Sequence, residues 1–447
     1  MDSRNFLLCF IGCVTTVLPA VGGSAPAPGA AALAQAPIAG DPGAWPGQLI
    51  VKWAEPLTPR ASADVCRALG LRWIGRAWDG AFDTVGTAPG AEAAAIALLE
   101  GLSVVVYAER DLVCVASGLP TDPRYPNQWN MYDIGRASGT KISNFGVQGE
   151  AAWAAGATGA GVYVAVLDTG VAFADGTYDG VTYKQAPDLK GVTFVAPRRF
   201  YLNGSGSNPD AFDGHGHGTH VCGTISAQHD NGVTAAGLAA GATIIPVKVL
   251  NDQGAGTVSS VSQGISWAQA NGAFVINMSL VFTQHSKTLA NAVNDAWRKG
   301  VVLCAAAGND GVNRCYFPAA YEKVIAVGAT DFVGARTGYS NFGVDLDVVA
   351  PGGDTAVDLN QDGVDDGIVQ QTITPGDPTT FADASYEGTS MATPHVAACA
   401  ALVKQKHAAF TNKQVRAAIE ATCRDLGPAG VDPDFGAGLI DCKAAIQ

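Results

Sequence analysis

From residue 162 onward the chain carries a series of short, mainly apolar runs: 162–167, 243–250, 274–278, 301–306, 324–327 and 346–349. Between several of them lie stretches with helical spacing, such as 258–270 and 287–299. Runs that are apolar on both faces, joined by helices, are best buried in a parallel sheet covered on both sides. The expected class is therefore α/β: three layers, with a mainly parallel central sheet. Sheets of this kind gather reactive groups at the carboxyl ends of their strands. Asp168, Ser279 and Asn309 each stand just past such a run.

The 447 residues are 48% hydrophobic and only 15% charged, which excludes a disordered chain. A net charge of −13, from 27 basic and 40 acidic residues, argues against nucleic acid as a partner. At the N-terminus Arg4 precedes an apolar run, Phe6 to Leu18, too short for a membrane anchor. Residues 1–25 read as an export signal, with Gly23-Ser24-Ala25 or Ala34-Gln35-Ala36 as cleavage sites. Phe10-Ile11-Gly12-Cys13 resembles a lipoprotein cleavage box, but the run before it is short, so free secretion is the expectation. No later segment is long and apolar enough to imply a membrane partner.

Residues 26–47, rich in Pro, Ala and Gly, read as a linker. Residues 48–117 follow as a small α+β module patterned strand, helix, strand, strand, short helix, strand. A breaker-rich joint, Ser117 to Pro123, opens the large α/β domain, 118–447. Of the ten cysteines, none lies in a zinc-binding pattern. Cys304 with Cys315 and Cys423 with Cys442 are the nearest pairings in sequence, while Cys222 and Cys399 read as buried thiols.

Three distant segments carry the chemistry. Ala165-Val166-Leu167-Asp168-Thr169-Gly170 puts a carboxylate at a buried strand end, where an acid needs a hydrogen-bonded partner. His217-Gly218-Thr219-His220-Val221 opens a helix among glycines that permit close backbone approach. Gly388-Thr389-Ser390-Met391-Ala392-Thr393-Pro394-His395 starts an Ala-rich helix, with Pro394 expected in its first turn. A serine there has its hydroxyl beside free N–H groups and the positive end of the helix dipole. Singly these are a turn, a packing histidine and a helix cap. Together, at spacings of 49 and 173 residues, they are the acid, imidazole and hydroxyl of an activated serine nucleophile.

These motifs, in the order Asp, His, Ser, resemble the subtilisin family (subtilases) of serine endopeptidases, a likeness covering roughly residues 119–447. It implies that Asp168 orients the imidazole, His217 serves as general base and then acid, and Ser390 attacks the scissile carbonyl. His217 is selected over His215 and His220 because it is the first His of His-Gly-Thr-His. By the same resemblance Asn309 is the oxyanion-hole donor. Gly254, Ala255, Gly256, Ser279, Leu280 and Val281 are the segments that pair with an extended substrate, and Gly308 lies beside the specificity pocket with Ala306 and 317–319. Glycine is usual in the family where Val281 stands, so the groove is expected to be narrowed or reshaped. The resemblance also makes 48–117 a propeptide, an inhibitor and folding aid cleaved off near 116–121, with Val115 to Gly118 left in the active site. Partners are then protein or peptide substrates and the chain's own propeptide, and a monomer is expected.

Catalysis of this kind needs no cofactor, but structural calcium is expected. Asp122, Asp188 and Asp230 match positions that ligate calcium in some relatives. Independently, Asp358-Leu359-Asn360-Gln361-Asp362-Gly363, with Asp366, copies the first half of a calcium loop. Oxygen donors stand at alternate positions and Gly363 permits the turn, but no Glu stands at the twelfth position. Rival readings are a processing protease of narrow specificity, hinted at by Val281, and an inactive binding protein, disfavoured because every catalytic residue is present. Ser390 lies in Gly-Thr-Ser-Met-Ala and not Gly-x-Ser-x-Gly, which disfavours an esterase of the α/β-hydrolase type.

Overall fold

The computed structural model describes residues 16–17, 44–77, 79–88, 91–112, 119–200 and 210–447. Most of the expected signal and linker, residues 113–118 with the start of the expected joint, and Cys9, Cys13 and Cys114 lie outside the described residues. The chain falls into two units, the smaller spanning Gly23–Ser117 and the larger containing Gly118–Gln447.

In the smaller unit four strands, Ala44–Trp53, Arg72–Arg76, Asp83–Gly86 and Val105–Leu112, form one antiparallel sheet. Helices Pro59–Ala68 and Glu92–Glu100 complete the strand–helix–strand–strand–helix–strand order. The sheet runs second, third, first, fourth strand, a ferredoxin-like arrangement. Its core is Leu49, Val51, Cys66, Val85, Leu99 and neighbours. The first strand begins at Ala44, earlier than the apolar run suggested, because Ala44 pairs with Leu112 beyond an irregularity in the ladder, where the Gly47 N–H is held instead by the buried Glu92 carboxylate at 2.7 Å.

The larger unit is built on a parallel sheet whose main strands are β1 (Tyr163–Asp168), β2 (Thr243–Lys248), β3 (Val275–Met278), β4 (Val302–Ala306), β5 (Ile325–Thr330) and β6 (Val348–Pro351). Their order is β2-β1-β3-β4-β5-β6, with the short Thr193–Phe194 and Arg198–Arg199 strands on the outer side of β2. All these pairings are parallel. The chain leaves β1 for one neighbour and returns to the other, so the strand order reverses at β1 and β3. A crevice opens at the carboxyl ends of strands at such a point. Asp168 ends β1 and Ser279 follows β3.

Alternation along each strand builds two cores. Val164 and Val166 face one side, with helix α1 (His217–Ser226) and helix α4 (Thr389–Lys406). Ala165 and Leu167 face the other, with α2 (Val258–Ala270) and α3 (Lys287–Arg298). Thr257 caps α2 in a reciprocal capping box with Ser260, and Ser286 caps α3. Met391 to Val403 of α4 are buried throughout, which is possible because the segment is mostly Ala and Val. The unit also carries a long hairpin unforeseen from the sequence, β7 (Ile368–Thr374) and β8 (Asp377–Tyr386). It packs on α1.

The described cysteines, Cys66, Cys222, Cys304, Cys315, Cys399, Cys423 and Cys442, are free thiols, so neither expected pairing is formed here. Cys304 lies inside β4, where the sheet occupies both flanks of its backbone. Replacing Leu167, which is fully buried between sheet and α2, by Ala should cost about 2–5 kcal/mol. The expected readout is a melting temperature several degrees lower.

Candidate active site

The carboxylate of Asp168 is wholly buried. Its Oδ1 accepts from the Thr169 N–H at 2.7 Å and faces His217 Nδ1, also at 2.7 Å. Oδ2 has no partner among the described residues. The approach of His217 depends on Gly218: a Cβ there would collide with the Gly170 carbonyl and sit 3.0 Å from the Asp168 Cβ. Burial alone would push the His217 imidazolium toward losing its proton. The charge of Asp168 and the shared hydrogen bond outweigh it, and the pKa is raised above the ordinary imidazole value.

The turn that delivers His217 is held by a residue the sequence reading passed over. Asp213, 1% exposed, accepts five hydrogen bonds: from Thr169 Oγ1, the N–H groups of His215 and Gly216, and both the N–H and hydroxyl of Thr219, all at 2.7–3.0 Å. Burial opposes its charge, but Lys248 and these donors hold its carboxyl below the usual range. The signal was present in Asp213-Gly214-His215-Gly216-His217, a carboxylate followed by glycine-spaced N–H groups ahead of a helix. From the other side, β7 grips the same turn. The Thr372 hydroxyl donates to the Gly216 carbonyl, and His220 Nε2 pairs with the Ile368 carbonyl at 2.9 Å. His220, stacked on Tyr386, and His395, held by Asn130 and Met391, are buried, which pushes their pKa values down to about 3 and about 4.

Ser390 lies in the first turn of α4, which packs on α1. Pro394 lies in the second turn and not the first, so the Ser390 carbonyl four residues before it loses its helical N–H partner. The Ser279 hydroxyl supplies the missing donor at 2.8 Å, and is itself positioned by Asn277 Nδ2 at 3.0 Å. The Ser390 hydroxyl in turn donates to the Ser279 carbonyl, 3.3 Å away. Strand β3 and helix α4 are thus clasped at one residue pair.

Asn309 is oriented by its own oxygen. Oδ1 accepts from the Thr389 N–H at 2.9 Å and the Thr389 hydroxyl at 2.7 Å, which turns the amide nitrogen the other way. A Cβ built on Gly388 would lie 3.3 Å from Asn309 Nδ2 and 3.6 Å from the Ser390 N, so two donors border one small space that only glycine leaves open. Gly388 also has φ of +140°, outside the comfortable range of other residues.

Residues 159–438 match the model of the subtilase family, peptidase S8. The chain belongs to the subtilase family. It is 41% identical over 304 residues to Subtilisin Savinase of Lederbergia lenta, covering 67% of this chain and 96% of that one. The Minor extracellular protease Epr of Bacillus subtilis is 36% identical over 341 residues, covering 75% of this chain and 44% of Epr. Among solved structures, a protease of Pseudoalteromonas arctica superposes with a TM-score of 0.62 at 34% identity, covering 73% of this chain and 98% of that one. The protein is a subtilisin-family serine protease with the subtilisin-like fold.

The other subtilase positions fall around this centre unevenly. Gly254, Ala255 and Gly256 form a turn closed on Asn251, with Ala255 exposed and Gly254 beside His215. Leu280 is buried, and half-buried Val281 leads into Phe282, whose backbone pairs with Phe317. Gly308, at φ +117°, packs against Asn341 and Tyr316. Asp122, Asp188 and Asp230 come together, but on N–H groups: Asp122 accepts from Asp230 and Asn231, Asp230 from Thr121, and Asp188 from Asn231 and Ala235. Among the described residues no three His, Cys, Asp or Glu side chains stand ready-made as a metal site.

Ser279→Ala should leave the half-buried Ser390 carbonyl unpaired, costing about 1 kcal/mol. We expect a lower melting temperature together with a reduced kcat, read by calorimetry and by peptide hydrolysis; an unchanged protein would dissolve the proposed clasp.

Proposed function

We propose that this chain hydrolyses peptide bonds in proteins by an acyl-enzyme route run by Asp168, His217 and Ser390. The observation that carries the reading is the 2.7 Å contact between a fully buried carboxylate and an imidazole nitrogen. That contact orients the ring and favours its protonated form, which is what a general base needs once it has taken a proton. When substrate arrives, the Ser390 hydroxyl swings from the Ser279 carbonyl to the imidazole. Its oxygen attacks the scissile carbonyl while His217 Nε2 accepts the proton. His217 then returns that proton to the leaving amine, and water repeats the sequence to free the acid. Asn309 Nδ2 and the Ser390 N–H donate to the oxyanion in the space beside Gly388.

An extended substrate would pair with the backbone at 254–256 and 279–281, as in strand addition. No acid lines the segments 306–308 and 317–319, which favours apolar or broad preference. Half-buried Val281 beside the Phe282–Phe317 pairing supports a narrowed groove, and cleavage of a mixed peptide library separates broad from restricted action. We further infer export by the 1–25 signal, with 48–117 acting as a propeptide removed by the enzyme itself. The relative Epr is named an extracellular protease, and among the described residues no helix is long and apolar enough to cross a membrane.

Ser390→Ala should abolish labelling by a fluorophosphonate, lower hydrolysis by about 10⁶-fold and leave the precursor uncut. A variant that still matures by itself removes Ser390 from the role. Asn309→Ala should lower kcat by about 10²–10³ with little change in KM, a magnitude borrowed from subtilisin itself.

The acidic limb of the pH profile should report His217. Only neutral imidazole accepts a proton, and its pKa is raised, so kcat/KM should climb with pH through a midpoint above about 6.5. Asp168→Asn removes the charge that raises it, so the midpoint should move down as the rate falls.

A further inference from the structure

We propose that the loop 358–366 is a calcium site closed by Asp366, a residue that stands in for the Glu absent from the twelfth position. Asp358, Asn360 and Asp362 occupy the first, third and fifth places of a calcium loop, Gly363 the sixth, and Asp366 the ninth. The backbone already follows that path. Both oxygens of Asp358 accept N–H groups from across the loop, Oδ1 from Asp362 at 3.2 Å and Oδ2 from Gly363 at 3.1 Å. Gly363 has φ of +88°, the sharp turn that such loops need at this place.

The independent observation is Asp366 itself. It is 1% exposed; Oδ2 accepts from the Leu359 N–H inside the loop at 2.6 Å, and Oδ1 has no partner among the described residues. A buried carboxylate oxygen left bare is costly, and a cation is the partner that removes the cost. No nearby base offers one: Asp358, Asp362 and Asp365 all carry the same charge and bear on Asp366. The side-chain donors are carboxylates and the Asn360 amide oxygen, which suit a hard ion of adaptable coordination, namely Ca²⁺.

The loop is also fixed from outside. Asn127 Nδ2 donates to Asp362 Oδ2 at 3.0 Å, Asn360 Nδ2 to Ser138 Oγ at 2.9 Å, and the Thr140 N–H to the Asn360 carbonyl at 2.6 Å. Filling the site therefore ties residues 127–140 to the start of β7.

Trp129 supplies the readout, because its indole N–H donates to the Asp366 carbonyl at 3.2 Å. Terbium titrated into the calcium-free Ser390→Ala full chain should give emission excited through the indole, displaced by calcium, and calcium should raise the melting temperature. Binding in this variant does not depend on catalysis, so its outcome is separate from that of the protease reading. Asp366→Asn and the exposed Asp358→Asn should each weaken terbium at least tenfold, and Asp358→Asn answers the question even where the buried substitution impairs folding. Absence of sensitised emission overturns the site. So does emission lost in Asp188→Asn but kept in both loop variants, which would put the ion elsewhere.

Discussion

A carboxylate shut away from water at the end of β1 is the demand to which the rest of the site responds. Asp168 needs hydrogen-bond donors that no solvent supplies, and burying it alone would cost several kcal/mol. The imidazole of His217 answers that demand only if a helix can start almost in contact with the strand end. Gly218 makes the approach sterically possible, and Asp213 makes it stable by gathering the otherwise unpaired N–H groups of the turn. A second buried carboxylate thus secures the position of the group that serves the first. Lys248, also buried, offsets charge nearby through its bonds to the Thr169 carbonyl and Asp252.

Ser390 is placed by a gap in a helix. Pro394 removes one rung of the hydrogen-bond ladder in α4, and the freed Ser390 carbonyl is taken by the Ser279 hydroxyl. Because Ser279 follows β3 directly, the sheet dictates where the helix begins. Asn309, from the loop after β4, then locks its oxygen on Thr389, which turns its amide nitrogen the other way. Asp168, Ser390 and Asn309 each take their position from a strand end, and His217 takes its position from Asp168.

Much of this was legible beforehand. The six central strands were readable because each is apolar on both faces, and helices α2 and α3 because their apolar spacing and Thr or Ser caps agree. The β7–β8 hairpin was not, since Thr, Gln and Asp in those strands break any simple alternation, although Pro375-Gly376 marks its turn. Pro394 was assigned to the first helical turn, since sequence alone gives no reason for a proline one turn further in. Asp213 was missed because an acid near glycines reads as an ordinary turn until its five donors are assembled. Its partners Thr169 and Thr219 lie 44 residues before it and six after.

By itself, the order of residues determined the class of fold and the segments in which an acid, an imidazole and a hydroxyl stand, because those depend on local periodicity and on which side chains are present. Only the tertiary structure decided how they act on one another. Which carboxylate oxygen meets His217, which hydroxyl repairs the break at Pro394, and which oxygen of Asp366 is left bare all arise from contacts between segments far apart in the chain. Such contacts form when burial withdraws water and forces polar atoms to find partners, and no reading of neighbours along the chain contains that competition.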